Sequence, residues 1–236
     1  MIKLEFNTPK SDYDHLFNFI GYGNLKGLVW FLGMEEGGGS LESLKKRRHF
    51  KEVEDCASAH KKLGITEFHF EKRKIQRTWR GMCILMLRLE GHLEFNTDMI
   101  RAYQAERLGR TEDSTFLLEL MPIPKPSIKS WYKDLFPQYS SSDEYYEIER
   151  PRRIEIIKKL IKDNKPSVVI AYGKAYWDHY KLLFPDAIFE MNDQFLFADI
   201  NGTRVVLSDH FTARTMNKKF EKLFEVIVKN NNNIHS

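Results

Sequence analysis

Short apolar segments bounded by glycine or proline recur along the chain. The clearest are residues 27–33 (GLVWFLG), 115–121 (TFLLELM) and 166–173 (PSVVIAYG). Runs of this length are typical of strands that are buried on both faces, as in a parallel sheet. Two further strands are predicted at residues 195–200 and 203–207, because the Asn201-Gly202 pair between them is a strong hairpin signal.

Apolar residues at helical spacing fill the intervals between these strands. The spacing predicts helices at residues 11–20, 43–63, 75–89, 98–108, 149–164, 174–184 and 214–229. Pro122, Pro124 and Pro126 predict an extended loop, since proline offers no backbone N–H. The polar, serine-rich segment 139–146 is interpreted as a surface loop.

Buried strands that alternate with helices predict a three-layer α/β/α sandwich with a mostly parallel central sheet. A chain of 236 residues can bury enough surface to fold without a metal or a disulfide. No internal repeat or domain linker is evident. We therefore expect a single domain over residues 1–230, followed by a disordered tail over residues 231–236.

Cysteine usage and the N-terminal sequence narrow the class of protein. Cys56 and Cys83 have no ligand-like spacing, which excludes a four-cysteine zinc site and argues against a secreted, disulfide-stapled protein. The histidines show no paired metal spacing, so we expect neither a metal nor another cofactor. Charges interrupt the first apolar stretch, and every apolar run is too short to span a bilayer. These features predict a cytoplasmic monomer.

Basic residues cluster in the first half of the chain, although the net charge is only +4. The densest run is residues 45–51 (KKRRHFK). Such a run is suited to tracking a phosphate backbone, and it would equally suit a solvated helix face. Both interpretations stay open on the sequence alone.

Polar segments lie at or near the predicted ends of three strands. Glu35 and Glu36 follow the first strand, Glu119 lies near the end of the second, and His210 follows the last. Ligands of open α/β sheets bind beyond the carboxyl ends of the strands. The pattern therefore predicts that these side chains converge on one site.

Four segments, taken in order, resemble the landmarks of the uracil-DNA glycosylase superfamily. They are residues 33–39 (GMEEGGG), 119–124 (ELMPIP), 165–175 (KPSVVIAYGKA) and 208–214 (SDHFTAR). In that family the corresponding landmarks are a water-activating loop, a base-recognition strand, a strand–helix segment and a histidine loop that carries a wedge residue. The similarity spans roughly residues 27–228, and the third segment is the most specific of the four.

The resemblance implies hydrolysis of the N-glycosidic bond of a base flipped out of single- or double-stranded DNA. Glu35, with Glu36 as its backup, would orient water and stabilise the cationic sugar, while His210 would donate to the departing base. The implied substrate-binding positions are Gly33, Met34, Gly37, Phe50, Glu119 and Pro122. The implied DNA-binding positions are Lys46, Arg47, Arg48, Arg214 and Met216, the last two as alternative wedges.

The chain departs from the family's pattern at its recognition residues. Glu35 stands where an Asp or Asn is usual, Glu36 and Phe211 stand where proline is usual, and Glu119 replaces an Asn. An ionised Glu only accepts hydrogen bonds, whereas Asn also donates. If Glu119 is ionised, we expect a base edge with an amino group to be preferred over uracil.

Each feature also has a purely structural interpretation. Glu35 and Glu36 would suit a helix N-terminus, Glu119 would suit an edge strand facing solvent, and His210 would suit a local loop contact. The competing functions are a non-catalytic nucleic-acid-binding module on a glycosylase fold and a glycosidase of free nucleosides. Both stay open, because a fold does not determine a function.

Overall fold

The computed structural model describes residues 13–70, 73–192, 194–214, 216 and 219–229. The strands are β1 (Gly21–Gly23), β2 (Val29–Gly37), β3 (Val53–Glu54), β4 (Thr115–Lys125), β5 (Val168–Tyr172), β6 (Glu190–Asn192), β7 (Phe195–Ile200) and β8 (Thr203–Ser208). The α-helices are α1 (Leu41–Arg47), α2 (Cys56–Leu63), α3 (Arg77–Leu89), α4 (Thr97–Glu106), α5 (Ser142–Asn164), α6 (Trp177–Lys181) and α7 (Phe220–Val228). Two 3₁₀ helices cover Asp14–Asn18 and Lys174–Tyr176.

The strands form one eight-stranded sheet in the order β3-β1-β4-β2-β5-β8-β7-β6. Its centre, β4-β2-β5-β8, is parallel throughout, and β7 and β6 extend it as antiparallel strands. On the other side β1 runs antiparallel to β4, and β3 runs parallel to β1. The prediction of an α/β fold with a mostly parallel sheet is confirmed.

Successive residues of the central strands enter two separate apolar cores. Phe31 and Ile170 face a core that they share with α2, α3, α4 and α7. Leu32 and Ala171 face a second core, shared with α1, α5 and α6. Because neighbouring strand residues point to opposite faces, helices cover both sides of the sheet. This arrangement is compatible with a three-layer α/β/α sandwich.

Strand β4 continues through the segment that the prolines mark as a loop, so that prediction was wrong. Up to Leu118 the strand is paired with β1 on one side and β2 on the other. Beyond that residue only β2 continues alongside it, reaching the pair Gly37–Lys125 past an irregularity in register. Proline is tolerated where one side of a strand has no partner, which explains why Pro122 and Pro124 do not end it.

The predicted helix at residues 43–63 is divided in the structure. Helix α1 ends at Arg47, a two-residue strand pairs with β1, and α2 begins at Cys56. Asp55 causes the restart, because its side chain accepts a hydrogen bond from the Ser58 N–H at 2.9 Å and caps α2. Helical spacing alone did not reveal this interruption.

Other element boundaries shift for similar local reasons. Helix α5 starts at Ser142, inside the predicted surface loop, because the Ser141 side chain accepts from the Glu144 N–H at 3.1 Å. The predicted helices at 174–184 and 214–229 shorten to α6 and α7. The hairpin at Asn201-Gly202 is confirmed, with positive φ at both residues.

Two predictions fall outside the part of the chain that the structure describes. They are the helix start at residues 11–12 and the tail at residues 231–236. Within the described ranges, every helix is too short or too polar to cross a lipid bilayer.

Candidate functional site

A cavity of about 550 Å³ opens at the carboxyl ends of β2, β4 and β5. Among the residues that line it are Glu35, Glu36, Glu119, Tyr172 and His210. Glu35, Glu36 and Tyr172 lie at the carboxyl ends of β2 and β5, and His210 lies in the loop after β8, which agrees with the rule for open α/β sheets. Glu119 lies in the middle of β4, just beyond the part of that strand that pairs with β1. The volume lies in the range of pockets that hold small organic ligands. The structure thus brings together the three catalytic candidates and Glu119.

Glu35 lies on the side of the sheet that α5 covers. Its Oε2 accepts a hydrogen bond from the Tyr146 hydroxyl at 2.7 Å, and Lys125 Nζ lies 3.3 Å from the same oxygen. Burial raises the pKa of Glu35 to about 7, although the charge of Lys125 and these hydrogen bonds oppose the shift. The carboxyl group is therefore close to half ionised at neutral pH, a condition suited to proton transfer.

Lys125 is itself fully buried. Its ammonium group donates to the Tyr146 hydroxyl at 2.8 Å, to the Ile128 carbonyl at 2.9 Å and to the Ser142 hydroxyl. Burial lowers the pKa of Lys125, while Glu35 favours the charged form. The lysine thus fixes the position of the Glu35 carboxyl group, and both residues line the cavity.

Glu119 occupies a space that Gly33 leaves open. Any side chain at Gly33 would collide with Glu119 Oε2 and with the Tyr172 hydroxyl. The Tyr172 hydroxyl donates to Glu119 Oε1 at 3.1 Å. Oε2 is inaccessible to solvent and has no hydrogen-bond partner among the described residues. One carboxyl oxygen is therefore fixed and the other lacks a partner.

Burial raises the pKa of Glu119 to about 8, and repulsion from Glu36 and Glu35 adds to the effect. The premise that Glu119 is ionised is thus corrected for neutral pH. A protonated carboxyl group both donates and accepts, as an amide does. Since Oε1 already accepts from Tyr172, the proton belongs on Oε2.

Glu36 points to the opposite face from Glu35, as neighbouring strand residues do. Arg47 Nη2 lies 2.5 Å from its Oε1, and the Tyr22 hydroxyl donates to Oε2 at 2.8 Å. Arg47 also donates to the Tyr22 hydroxyl at 2.8 Å and is almost completely buried. Glu36 therefore has the environment of a structural ion pair, and Glu35 is the better candidate for a water-orienting group.

His210 stands at the cavity mouth, exposed to solvent, with its ring 5.4 Å from that of Tyr172. The Thr212 N–H donates to His210 Nδ1 at 3.2 Å, so Nδ1 is an acceptor. Partial desolvation lowers the pKa of His210. The ring is accordingly neutral at pH 7, with its proton on Nε2, and offers a neutral donor.

The structure separates the predicted substrate-binding residues into two groups. Met34 and Pro122 line the cavity, and Gly37 does so at the exposed end of β2. Phe50 lies away from the cavity and is corrected to a core residue. Its ring packs 5.9 Å from Phe19 and lies beneath the Arg47 and Lys62 cations.

The predicted DNA contacts also divide. Arg48 and Arg214 are exposed. Lys46 is engaged locally, since it donates to the Leu63 carbonyl at 3.2 Å and pairs with Glu42 at 3.0 Å. The predictions for Arg47 and Met216 are corrected. Arg47 forms an ion pair with Glu36, and Met216 is fully buried in the core. Neither side chain is therefore placed to contact a phosphate group or to fill the gap that a flipped base leaves.

Sequence reasoning missed several residues of the site. Lys125 and Tyr146 lay in segments that were predicted to be loops, and a loop prediction does not indicate which way a side chain points. Tyr172 is the last residue of β5, directly before Gly173. A search for polar side chains at the predicted ends of strands would therefore have found it. Arg153 is fully buried on α5 and was not recognisable, because its partners are backbone carbonyl groups.

A second group of side chains meets behind the cavity wall. Cys56, His60 and His69 are buried, and one potential metal-ligating atom from each lies within 4.8 Å of the others. Burial lowers the pKa of His60 to about 4 and also lowers that of His69, which leaves both rings neutral. The sequence offered a signal that was not used, since Cys56 and His60 are four residues apart on one helix.

Neither the protein-family models nor the curated protein sequences contain a match to this chain. Membership of the uracil-DNA glycosylase superfamily stays a prediction from the four motifs. The functional argument consequently depends on the site itself.

Proposed function

We propose that the chain is a DNA N-glycosylase-like hydrolase that takes a flipped base into the 550 Å³ cavity and cleaves its N-glycosidic bond. The observation that carries the proposal is the convergence of Glu35 from β2, Glu119 from β4 and His210 from the loop after β8 on that cavity. Two carboxyl groups with raised pKa and a neutral imidazole are the groups that such a reaction needs.

In the proposed step, ionised Glu35 orients a water molecule towards C1′ of the sugar. The C1′–N bond breaks, its electron pair passes to the base, and the water oxygen bonds to C1′ while Glu35 takes the released proton. The Nε2–H of His210 donates a hydrogen bond to the base oxygen on which negative charge develops. Glu35 then gives up the proton that it took from water, and the base takes up a proton at the nitrogen that left C1′. The products are the free base and an abasic sugar, and Glu35 is again ionised.

Glu119 is the proposed reader of the base edge. A rotation of its carboxyl group away from Gly33 would bring the protonated Oε2 into the cavity, where the group offers one donor and one acceptor to an edge that also has one of each. Uracil and hypoxanthine satisfy this condition through a carbonyl beside an N–H. Protonation thereby removes the objection to uracil that an ionised Glu119 would raise. Loss of the proton above about pH 8 would weaken this recognition.

The test is base excision, measured as alkali-labile abasic sites in oligonucleotides that contain uracil, hypoxanthine or xanthine. Activity should rise with pH as Glu35 ionises near 7 and fall as Glu119 ionises near 8. Glu35→Gln and His210→Ala should each lower the rate about 100-fold or more, since acid–base groups contribute about that much. Glu119→Gln should retain activity and lose the decline at high pH.

The matched control is Glu155→Gln, which replaces an exposed glutamate of α5. Its rate and pH profile should equal those of the unmodified chain. Excision that persists in Glu35→Gln at the original rate would remove that residue from the reaction. No abasic product on any substrate would contradict the hydrolase proposal.

One observation favours the alternative of a non-catalytic nucleic-acid-binding module. Lys125 and Tyr146 both hold Glu35 Oε2, so the carboxylate already has partners without a water molecule. On this alternative the cavity binds a base and leaves the bond intact. Unchanged DNA binding without excision on every substrate would support it.

A further inference from the structure

We propose that Cys56, His60 and His69 form a binding site for a divalent transition-metal ion of the zinc type. All three side chains are buried, and one potential ligand atom from each falls within 4.8 Å of the other two. His60 Nδ1 and His69 Nε2 are 3.2 Å apart, and Cys56 Sγ lies 4.0 Å from His69 Nε2. None of these three residues is one of the proposed glycosylase groups, and His60 also lines the cavity that holds those groups.

The spacing fits tetrahedral coordination. Zinc binds cysteine sulfur at about 2.3 Å and histidine nitrogen at about 2.0 Å, so ligand atoms around it lie roughly 3.3 to 3.6 Å apart. The nitrogen–nitrogen distance is already close to that range. The distance from Cys56 Sγ to His69 Nε2 exceeds it by about 0.5 Å, and the distance from Cys56 Sγ to the His60 ligand atom lies within 4.8 Å. Coordination would therefore require the Cys56 side chain to move towards the two histidines.

The local sequence pre-positions the ligands. Cys56 and His60 occupy positions i and i+4 of α2 and therefore share one helix face. Asp55 caps this helix and is held by Arg110 Nε at 2.7 Å. The Cys56 N–H donates to the Gly109 carbonyl at 2.9 Å, which ties the start of α2 to the segment before β4.

His69 lies on a turn that a buried glutamine anchors. The Gln104 side-chain amide donates to the Phe68 carbonyl at 3.0 Å and to the Lys74 carbonyl at 2.8 Å. Gln104 is fully buried on α4, so the turn is attached to the helical layer rather than to solvent. A ligand on such an anchored turn needs little ordering when an ion binds.

The ligand types select the ion. A thiolate with two imidazoles suits zinc and disfavours magnesium or calcium, which prefer oxygen ligands. Three protein ligands leave one tetrahedral position for water or another exogenous ligand. His60 lines the candidate cavity and stacks on Trp79 at 5.1 Å, which places the ion beside that wall.

The test uses the full chain, freed of metal with a chelator and then titrated with Co²⁺ or Zn²⁺. We expect one ion per chain by elemental analysis. The Co²⁺ form should show a thiolate-to-cobalt charge-transfer band and the intense visible bands of tetrahedral cobalt. Because the unmodified chain gives these spectra, the test does not depend on the folding of a variant.

Two matched pairs of variants locate the site. Cys56→Ser should abolish the charge-transfer band and weaken Zn²⁺ binding at least tenfold, whereas Cys83→Ser removes the other buried cysteine and should leave both unchanged. His69→Gln should likewise weaken binding, while His49→Gln, at an exposed position, should not. Circular dichroism without metal checks that each variant is folded.

Three outcomes would overturn the proposal: no stoichiometric ion, a cobalt spectrum without a thiolate band, or binding that Cys56→Ser leaves intact. The three residues would then be a dry hydrogen-bonded cluster in which one histidine donates to the other. Metal binding and base excision are measured separately, so failure of the glycosylase proposal would leave this test unaffected.

Discussion

At the scale of single residues, the buried carboxyl group of Glu119 links protonation to folding. Burial raises its pKa from 4.5 to about 8, so the folded chain holds this proton more tightly than the unfolded chain does. The resulting stabilisation is fully present below about pH 4.5 and is lost as the pH rises through about 8. Glu35, whose pKa is raised to about 7, acts in the same direction.

We expect Glu119→Gln to reduce the loss of stability between about pH 5 and pH 9 by about 2 to 4 kcal/mol. Gln keeps the size of the side chain and removes the titrating proton. Urea unfolding at a series of pH values measures the difference. The exposed Glu155→Gln should follow the unmodified chain, and identical slopes for the Glu119 variant would contradict the assigned environment.

The residues of the site were predictable where a strand end identified them. Glu35, Glu119 and His210 were found in this way, and all three line the cavity. Protonation was not predictable, because it depends on burial and on neighbours that are distant in sequence. Tyr172, which is 53 residues from Glu119, is one such neighbour.

At the scale of elements, one buried cation joins helix α5 to strand β4. The Arg153 guanidinium donates to the backbone carbonyl groups of Phe19, Glu119 and Leu120 at 3.0, 2.9 and 3.0 Å. Burial lowers the pKa of Arg153 to about 10, and each nitrogen of the guanidinium group donates to one of the three carbonyl groups. The helix thereby fixes the strand segment that carries Glu119.

Arg153→Met should lower the free energy of unfolding by about 3 kcal/mol or more, because buried carbonyl groups lose their donors. Thermal or urea unfolding measures this loss. Lys158→Met is the control on the same helix, since it removes a partly exposed ion pair worth at most about 1 kcal/mol. Equal stability of the two variants would show that Arg153 is not structurally important.

The hydrophobic pattern predicted whether a segment is a helix or a strand more reliably than it predicted the residues at which that element begins and ends. The core strands contain few polar residues, so β5 and the β7–β8 hairpin were located correctly and β2 was recognised as a strand. The predicted end of β2 was wrong, because the strand continues to Gly37 and includes Glu35 and Glu36. Ends depend on single hydrogen bonds, such as the caps at Asp55 and Ser141. The continuation of β4 depends on β2, which stays paired with it, and β2 is distant from β4 in the sequence.

At the scale of the whole molecule, the basic run of residues 45–51 contributes fewer available charges than its sequence suggests. Arg47 forms an ion pair with Glu36. Lys46 forms an ion pair with Glu42 and donates a hydrogen bond to the Leu63 carbonyl. Arg48 and Arg214 are the exposed members of the predicted DNA contacts. Any phosphate interaction of that set should depend chiefly on these two.

We expect Arg48→Ala and Arg214→Ala each to reduce the salt dependence of DNA binding by about one phosphate contact and to leave stability unchanged. Arg47→Met should instead lower the thermal unfolding temperature, because it leaves the Glu36 carboxylate without its cation. Fluorescence anisotropy at several salt concentrations and thermal melts separate the effects. DNA binding that Arg48→Ala and Arg214→Ala both leave unaffected would argue against phosphate contacts at these two positions.

The space above Gly33 has a consequence for how this protein can change in evolution. Glu119 and the Tyr172 hydroxyl fill the volume that a side chain at Gly33 would need. A side chain at position 33 is therefore excluded unless both the Glu119 carboxyl group and the Tyr172 hydroxyl move or are lost. We expect the effects of substitutions at positions 33, 119 and 172 to be non-additive, so the order in which they arise decides which side chains can line this cavity in descendants of this chain.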